Sequence, residues 1–285
     1  MSYNEETGMQ HRENFFKDSG NRQIFYQYWL PETDPGAVLL VVHGYAEHSG
    51  RYMNLVNRFV PKGYAVYALD HRGHGRSEGV PAYVARFEEY TDTLEQFRKI
   101  VHQAQKDKPL FLIGHSMGGL IAALYLLTHQ DKLSGAILSG PGVKAPDNIS
   151  AGTIFIGKMI SSLMPKIGMI KLEENAVSRD AGVVKAYKDD PLVYHGKITA
   201  RLGAEMLKAM GRVENEAHKI TLPILILQGT GDRLVEPSGA QMLYEKVSSV
   251  DKKIIFYEGL YHEIFNEPEH GIVLNDVEKW LESHL

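Results

Sequence analysis

The chain has no cysteine. Disulfide bridges, a thiol nucleophile and thiolate metal sites are therefore excluded, and a reducing compartment suits it. Positive charge is not in excess: 31 Lys and Arg against 35 Asp and Glu leave a formal net charge of -4. No field would draw in a phosphate backbone, so nucleic acid is not an expected partner. No unbroken apolar run approaches the roughly 18 residues of a membrane span. The opening "MSYNEETGMQHREN" lacks the basic start and apolar core of a secretory signal. These absences lead to the expectation of a soluble, cytoplasmic protein.

What is present points to an α/β enzyme. The 285 residues suffice for one large α/β domain or two modest ones. Runs such as "RQIFYQYWLP", "AVLLVVHG", "YAVYALD", "LFLI", "LSGAILSG", "ILILQ" and "KIIFY" are rich in aromatic and β-branched residues and predict strands. Between them, helices are predicted at 52–60, where Leu55, Val56 and Phe59 share a face, and around Phe87 to Val101. "MGGLIAALYLLTH", the stretch after Pro237 and the residues from Glu269 onward predict three more. Such alternation implies a mainly parallel sheet covered on both faces.

One segment breaks the rhythm. Between Pro141 and about Thr221 no convincing strand is predicted, and "ISAGTIFIGKMISSLMPKIGMIKL" reads as helical. Five of the ten methionines (Met159, Met164, Met169, Met206 and Met210) fall here, and Met adapts to irregular, flexible ligands. The expected organisation is a core of residues 1–140 and 222–285, with 141–221 inserted as a helical cap.

"FLIGHSMGGL" carries the chemistry. Gly114-His115-Ser116-Met117-Gly118 matches Gly-x-Ser-x-Gly between a predicted strand and a predicted helix, the setting of an exposed serine nucleophile. Such a serine needs a base, and the base an orienting acid, in the chain order Ser, acid, His. Asp232 follows strand "ILILQ" and His262 follows strand "KIIFY". Both lie beyond carboxyl ends of strands, where open α/β sheets place their sites. Glu236, Asp251 and His270 compete less well by position. Asp70 also follows a strand, but it precedes Ser116 and is assigned a structural role, in a loop tied up by Arg72 and glycines. The oxyanion donors expected are the amide of Met117, at a helix start, and that of Tyr45, after His43-Gly44.

Other chemistries fit poorly. In "GHGRSEG", Glu78 stands where a dinucleotide-binding loop needs its third glycine. No Gly-x-x-x-x-Gly-Lys-Ser/Thr occurs. The pairs His71/His74 and His43/His48 lack the setting of a metal site. No metal or organic cofactor is called for.

Taken together, "HGYAEHSGRY", "ALDHRGHGRSEG", "GHSMGG", "LILQGTGDRLVEP" and "YEGLYHEIFNE" resemble the α/β-hydrolase superfamily, in its monoacylglycerol lipase and lysophospholipase branch. The resemblance spans essentially the whole chain and is weakest in the cap and the first dozen residues. It implies an α/β-hydrolase fold, with Ser116, Asp232 and His262 as the triad. A serine hydrolase for a monoacylglycerol or similar single-chain lipid ester is implied. A general carboxylesterase or lysophospholipase is the alternative, and a non-catalytic ligand-binding protein a remote one. Glu47, His48, Arg51 and Tyr187 stand where the family holds glycerol hydroxyls, and Ile154, Met159 and Leu163 of the cap are expected to meet the acyl chain. The family commonly has a small residue where Tyr45 stands, so its side chain is expected to bear on the alcohol side. Transient contact of the apolar cap with a membrane surface is a further expectation.

Overall fold

A computed structural model describes residues 2–4, 9–145 and 151–285, without the side chains of 2–4, 151–155 and 158. The chain starts with β1 (Ser2–Asn4), β2 (Met9–Lys17) and β3 (Gln23–Leu30), then β4 (Ala37–Val42), α1 (Met53–Phe59) and β5 (Tyr64–Leu69). Next come α2 (Glu88–Ala104), β6 (Leu110–His115), α3 (Met117–His129) and β7 (Gly135–Ser139). The middle segment holds α4 (Ala151–Leu163), β8 (Gly168–Lys171), α5 (Ala181–Asp189), β9 (Lys197–Thr199) and α6 (Ala200–Glu216). β10 (Ile224–Gly229), α7 (Ser238–Lys246), β11 (Lys252–Tyr257) and α8 (His270–Glu282) complete it.

Nine strands form one sheet in the order β1-β2-β3-β5-β4-β6-β7-β10-β11. From β5 to β11 every pairing is parallel, while β1, β2 and β3 run antiparallel at one edge. Strands β4, β5, β6, β7 and β10 are buried along their whole length, as apolar runs between two helical layers must be. Alternate residues divide between the layers. Leu40, Leu112, Leu138 and Ile226 join a core with α2, α3, α6 and α7. Leu39, Phe111, Ile137 and Leu225 join another with α1 and α8. Helix α3 is apolar all round, and Met117 to Leu127 are all buried, which fixes the helix that follows Ser116.

The structure departs from the sequence reading in two places. Met9–Lys17 is a strand, although it reads as polar: between β1 and β3 it keeps most side chains at least partly in water, so apolar content gave no signal. The segment 141–221 contains two short strands, β8 and β9, which pair antiparallel. All four residues of β8 are exposed, so main-chain pairing rather than burial holds them. Helix α6 anchors the segment, because Leu202, Ala209 and Val213 pack into the same core as α3.

Candidate active site

Ser116 sits between β6 and α3 at φ 56° and ψ -120°, a strained conformation for a residue with a side chain. The neighbouring glycines permit it. A Cβ on Gly114 would lie 2.6 Å from the carbonyl oxygen of Gly118, and one on Gly118 would press into the carbonyls of Val42 and His43. The turn therefore closes only with hydrogen at both positions.

Asp232 and His262 meet from two different loops. His262 Nδ1 donates to Asp232 Oδ2 at 2.7 Å, and both residues are buried. Asp232 Oδ1 also accepts from the amides of Leu234 and Val235, and Oδ2 from Gln228 Nε2. Burial alone would raise this carboxyl's pKa, but the His262 charge and these donors bring it below the usual value. For His262, burial favours the neutral ring. The Asp232 carboxylate overrides that, with help from Glu263 and Glu47, and the pKa ends above its ordinary value. Nε2 makes no hydrogen bond among the described residues, so with the proton on Nδ1 it carries the free lone pair. Ser116 and His262 line one small cavity of about 20 Å³ with Tyr45, Glu47, Tyr187 and Glu263.

The Tyr45 amide makes no backbone hydrogen bond among the described residues. Met117, as first residue of α3, precedes the turn in which helical amides find partners. The loop before Tyr45 is held from two sides. His43 Nδ1 donates to the Gly44 carbonyl at 2.8 Å, and Glu47 Oε1 accepts from the Gly44 amide at 2.6 Å. Tyr52 OH donates to the same oxygen. Burial, then the charge of Glu263, pushes the Glu47 pKa up.

Of the other residues expected here, Glu47 and Tyr187 line the cavity, and Arg51 contacts them without lining it. Arg51 pairs with Glu263 at 2.6 Å and with Glu47 at 3.6 Å, and its guanidinium stacks 4.7 Å above the Tyr187 ring. His48 does not line the cavity: its Nε2 pairs with Asp190 at 2.9 Å and its Nδ1 accepts from the Gly50 amide. Met159 and Leu163 do not line it either, being 50% and 78% exposed on α4, and the side chain of Ile154 lies outside the described residues. Apolar composition marks α4 for burial, but its Ile156, Met159 and Leu163 are turned to solvent.

Arg72 is engaged by Asp18 and Glu89, not by Asp70. Asp70 accepts from the amide and hydroxyl of Ser49 and from the Arg76 amide, and so pins the first loop. The competing groups are occupied elsewhere: Asp251 with His284, Glu236 with Ser238, His270 with the Glu267 carbonyl. Sequence reasoning missed Glu263, whose one signal was its place beside His262.

A serine on a strained strand-to-helix turn, with acid and imidazole converging at the carboxyl edge of a mostly parallel sheet, is the architecture of an α/β-hydrolase. The chain belongs to the family described as "Serine aminopeptidase, S33", whose profile matches residues 33–269. It is 42% identical to a monoacylglycerol lipase of Mycolicibacterium smegmatis, over 96% of this chain and 98% of that protein. It is 35% identical to the monoglyceride lipase of Rattus norvegicus, over 93% of this chain and 88% of the other. Among solved structures, a monoacylglycerol lipase of Paleococcus ferrophilus superposes with a TM-score of 0.81 at 30% identity, covering 97% of this chain and all of that one.

Proposed function

We propose that the protein is a carboxylic ester hydrolase that cleaves monoacylglycerols to fatty acid and glycerol. The observation that carries this reading is the His262–Asp232 pair at 2.7 Å in the cavity that Ser116 also lines. His262 Nε2 takes the proton of the Ser116 hydroxyl as Oγ attacks the ester carbonyl. The tetrahedral oxyanion is met by the amides of Tyr45 and Met117. His262 then hands its proton to the departing glycerol oxygen, leaving the acyl group on Ser116. A water deprotonated by the same imidazole attacks that ester, and collapse of the second tetrahedral species frees the fatty acid and restores the hydroxyl. Asp232 holds the ring in the tautomer this cycle needs and stabilises its charged form.

Residues 141–221 act as the cap. The cavity beneath them has room for about one water. An acyl chain therefore enters by displacing cap residues such as Leu172 and Tyr187, which close over it. The exposed Ile156, Met159, Leu163, Met164 and Ile170 give the cap an apolar outer face suited to shallow, transient contact with a lipid surface. Among the described residues no helix is long and apolar enough to cross a membrane.

The test is a comparison of kcat/KM for a long-chain 1-monoacylglycerol, a short-chain ester and lysophosphatidylcholine. The monoacylglycerol is expected to lead, and Ser116→Ala to abolish hydrolysis of all three. A lead for the short-chain ester or for lysophosphatidylcholine would replace this reading by that of a general carboxylesterase or a lysophospholipase.

A further inference from the structure

Beside the triad, the polar groups of the cavity are unevenly committed. Glu263 is buried, and its Oε2 accepts from Arg51 at 2.6 Å and from Asn266 Nδ2 at 2.9 Å. Its Oε1 makes no hydrogen bond among the described residues, and Glu263 lines the cavity. The hydroxyls of Tyr187 and Tyr45, both lining residues, are likewise buried without a partner. Buried polar atoms are rarely left unpaired unless a ligand or water completes them. One free carboxylate oxygen and two free hydroxyls are the partners that an alcohol with several hydroxyls of its own would need.

Position decides which part of the substrate meets these groups. The imidazole that returns a proton to the leaving alcohol is His262, so that alcohol's oxygen must come to its Nε2. Glu263 lines the same cavity and its charge acts directly on the His262 ring, which puts its carboxylate where that alcohol must come. Charge decides which alcohols are admitted. Two glutamates line the cavity, and among the described residues no Lys or Arg does. The nearby guanidinium of Arg51 is already shared between Glu47 and Glu263. His115, the other imidazole lining the cavity, is held neutral: burial, then the charge of His262, drives its pKa down to about 3.

We propose that Glu263 makes the leaving-group side of the cavity selective for uncharged alcohols that donate hydrogen bonds, and selective against alcohols bearing a phosphate. A phosphate there would lose its water and face two carboxylates with no free cation, a penalty built against the wrong substrate rather than an attraction to the right one. The inference rests on the ester-hydrolase reading above and deepens it, by separating monoacylglycerols from their phosphorylated counterparts.

The experiment uses three esters of one fatty acid: 1-oleoylglycerol, 1-oleoylglycerol 3-phosphate and methyl oleate, whose leaving group carries neither charge nor extra hydroxyl. The readout is the ratio of kcat/KM for the phosphorylated ester to that for methyl oleate. In the native enzyme this ratio is expected to lie far below one. Glu263→Gln should raise it about 10-fold, the factor that relief of about 1.4 kcal/mol of repulsion gives, while lowering 1-oleoylglycerol relative to methyl oleate. Glu263→Asp, which keeps the charge, should leave the ratio within a few-fold of native. An unchanged ratio in Glu263→Gln, with all three esters losing activity in parallel, overturns the proposal and makes Glu263 only a support for Arg51 and His262. Should Glu263→Gln not fold, the native enzyme decides: equal turnover of the phosphorylated ester and methyl oleate refutes the filter. A native enzyme that prefers methyl oleate to 1-oleoylglycerol would instead refute the monoacylglycerol reading, and the charge ratio would still test the filter.

Discussion

Two regions of this protein bury histidine, and they do opposite things to its proton. Behind the first loop, the rings of His43 and His71 lie 4.3 Å apart and those of His43 and His74 5.5 Å apart. Burial drives His71 down to about 3 and His74 to about 4, and pushes His43 well below its ordinary value, with neighbouring rings adding to the effect at His71 and His43. At the ends of β10 and β11, His262 is as deeply buried, yet its pKa is raised. The difference is a carboxylate. Among the described residues no Asp or Glu pairs with His43, His71 or His74, whereas Asp232 touches His262, and Glu263 and Glu47 add their charge. Burial by itself makes a histidine inert; burial with a fixed negative neighbour makes it a base.

The sharpest way to break this comparison is Asp232→Asn, which gives His262 a neutral neighbour. It should cost ~10⁴ in kcat, because the ring loses both its charge support and its tautomer. Steady-state kinetics on a soluble ester would check this, and a loss of only a few-fold would mean that His262 does not depend on Asp232.

A smaller effect is expected in the other region. His43 never needs to change protonation: its Nδ1 donates to the Gly44 carbonyl and its Nε2 accepts from the His71 amide at 2.8 Å, so one fixed tautomer braces the loop that presents Tyr45. His43→Ala should lower kcat by ~10²–10³, the scale of losing one oxyanion donor. The position of the acid limb of the pH profile should stay where it was. A shifted limb would show that the two regions are coupled.

The pH dependence separates them further. The proposed mechanism needs neutral His262, whose pKa is raised, so the acid limb of kcat/KM should lie above 6.5, with the fold intact. Stability follows the other group. Histidines with depressed folded pKa values are protonated first in the unfolded chain, so their contribution is complete above about 6.5 and is lost as pH falls below it. Each costs about 1.4 kcal/mol per pH unit until its folded pKa is reached. His71 and His74 carry this acid sensitivity down to about 3 and about 4. Melting curves by circular dichroism from pH 7.5 to 4.5 should therefore decline at a lower pH than the activity does. Coincident declines would mean that unfolding, not His262, sets the acid limb.

The legible parts of this molecule are those where local sequence and tertiary role coincide. Ser116 was readable because Gly114 and Gly118 flank it between an apolar strand and an apolar helix. Asp232 and His262 were readable as candidates because each follows a buried strand by a few residues. What escaped depends on partners far along the chain. Arg51 and Glu263 are 212 residues apart, and nothing in either neighbourhood announces the pair. Arg72 is engaged 54 residues away by Asp18, although Asp70 stands two residues from it. Strands β2, β8 and β9 carry too little buried apolar surface for periodicity to reveal them. Methionine and isoleucine content suggested that α4 contributes to a pocket; composition cannot say which way a helix faces.

That orientation supplies the smallest predicted effect, and it concerns the cap rather than the chemistry. Met159 and Leu163 are exposed and touch neither Ser116 nor His262 in the cavity lining. Replacing both with Ser removes apolar surface from water without opening a cavity, so folding stability should change by no more than about 0.5 kcal/mol. Turnover of a dissolved short-chain ester should likewise be unaltered. If the outer face of α4 rests on a lipid surface, the double substitution should reduce co-sedimentation with phosphatidylcholine vesicles several-fold, because each lost side chain forfeits about 1.5–3 kcal/mol of burial at most, of which shallow contact realises a part. Hydrolysis of 1-oleoylglycerol presented in those vesicles should fall with it. Equal sedimentation of native and substituted proteins would assign the exposed face of α4 to something other than lipid, while leaving the two histidine regions untouched.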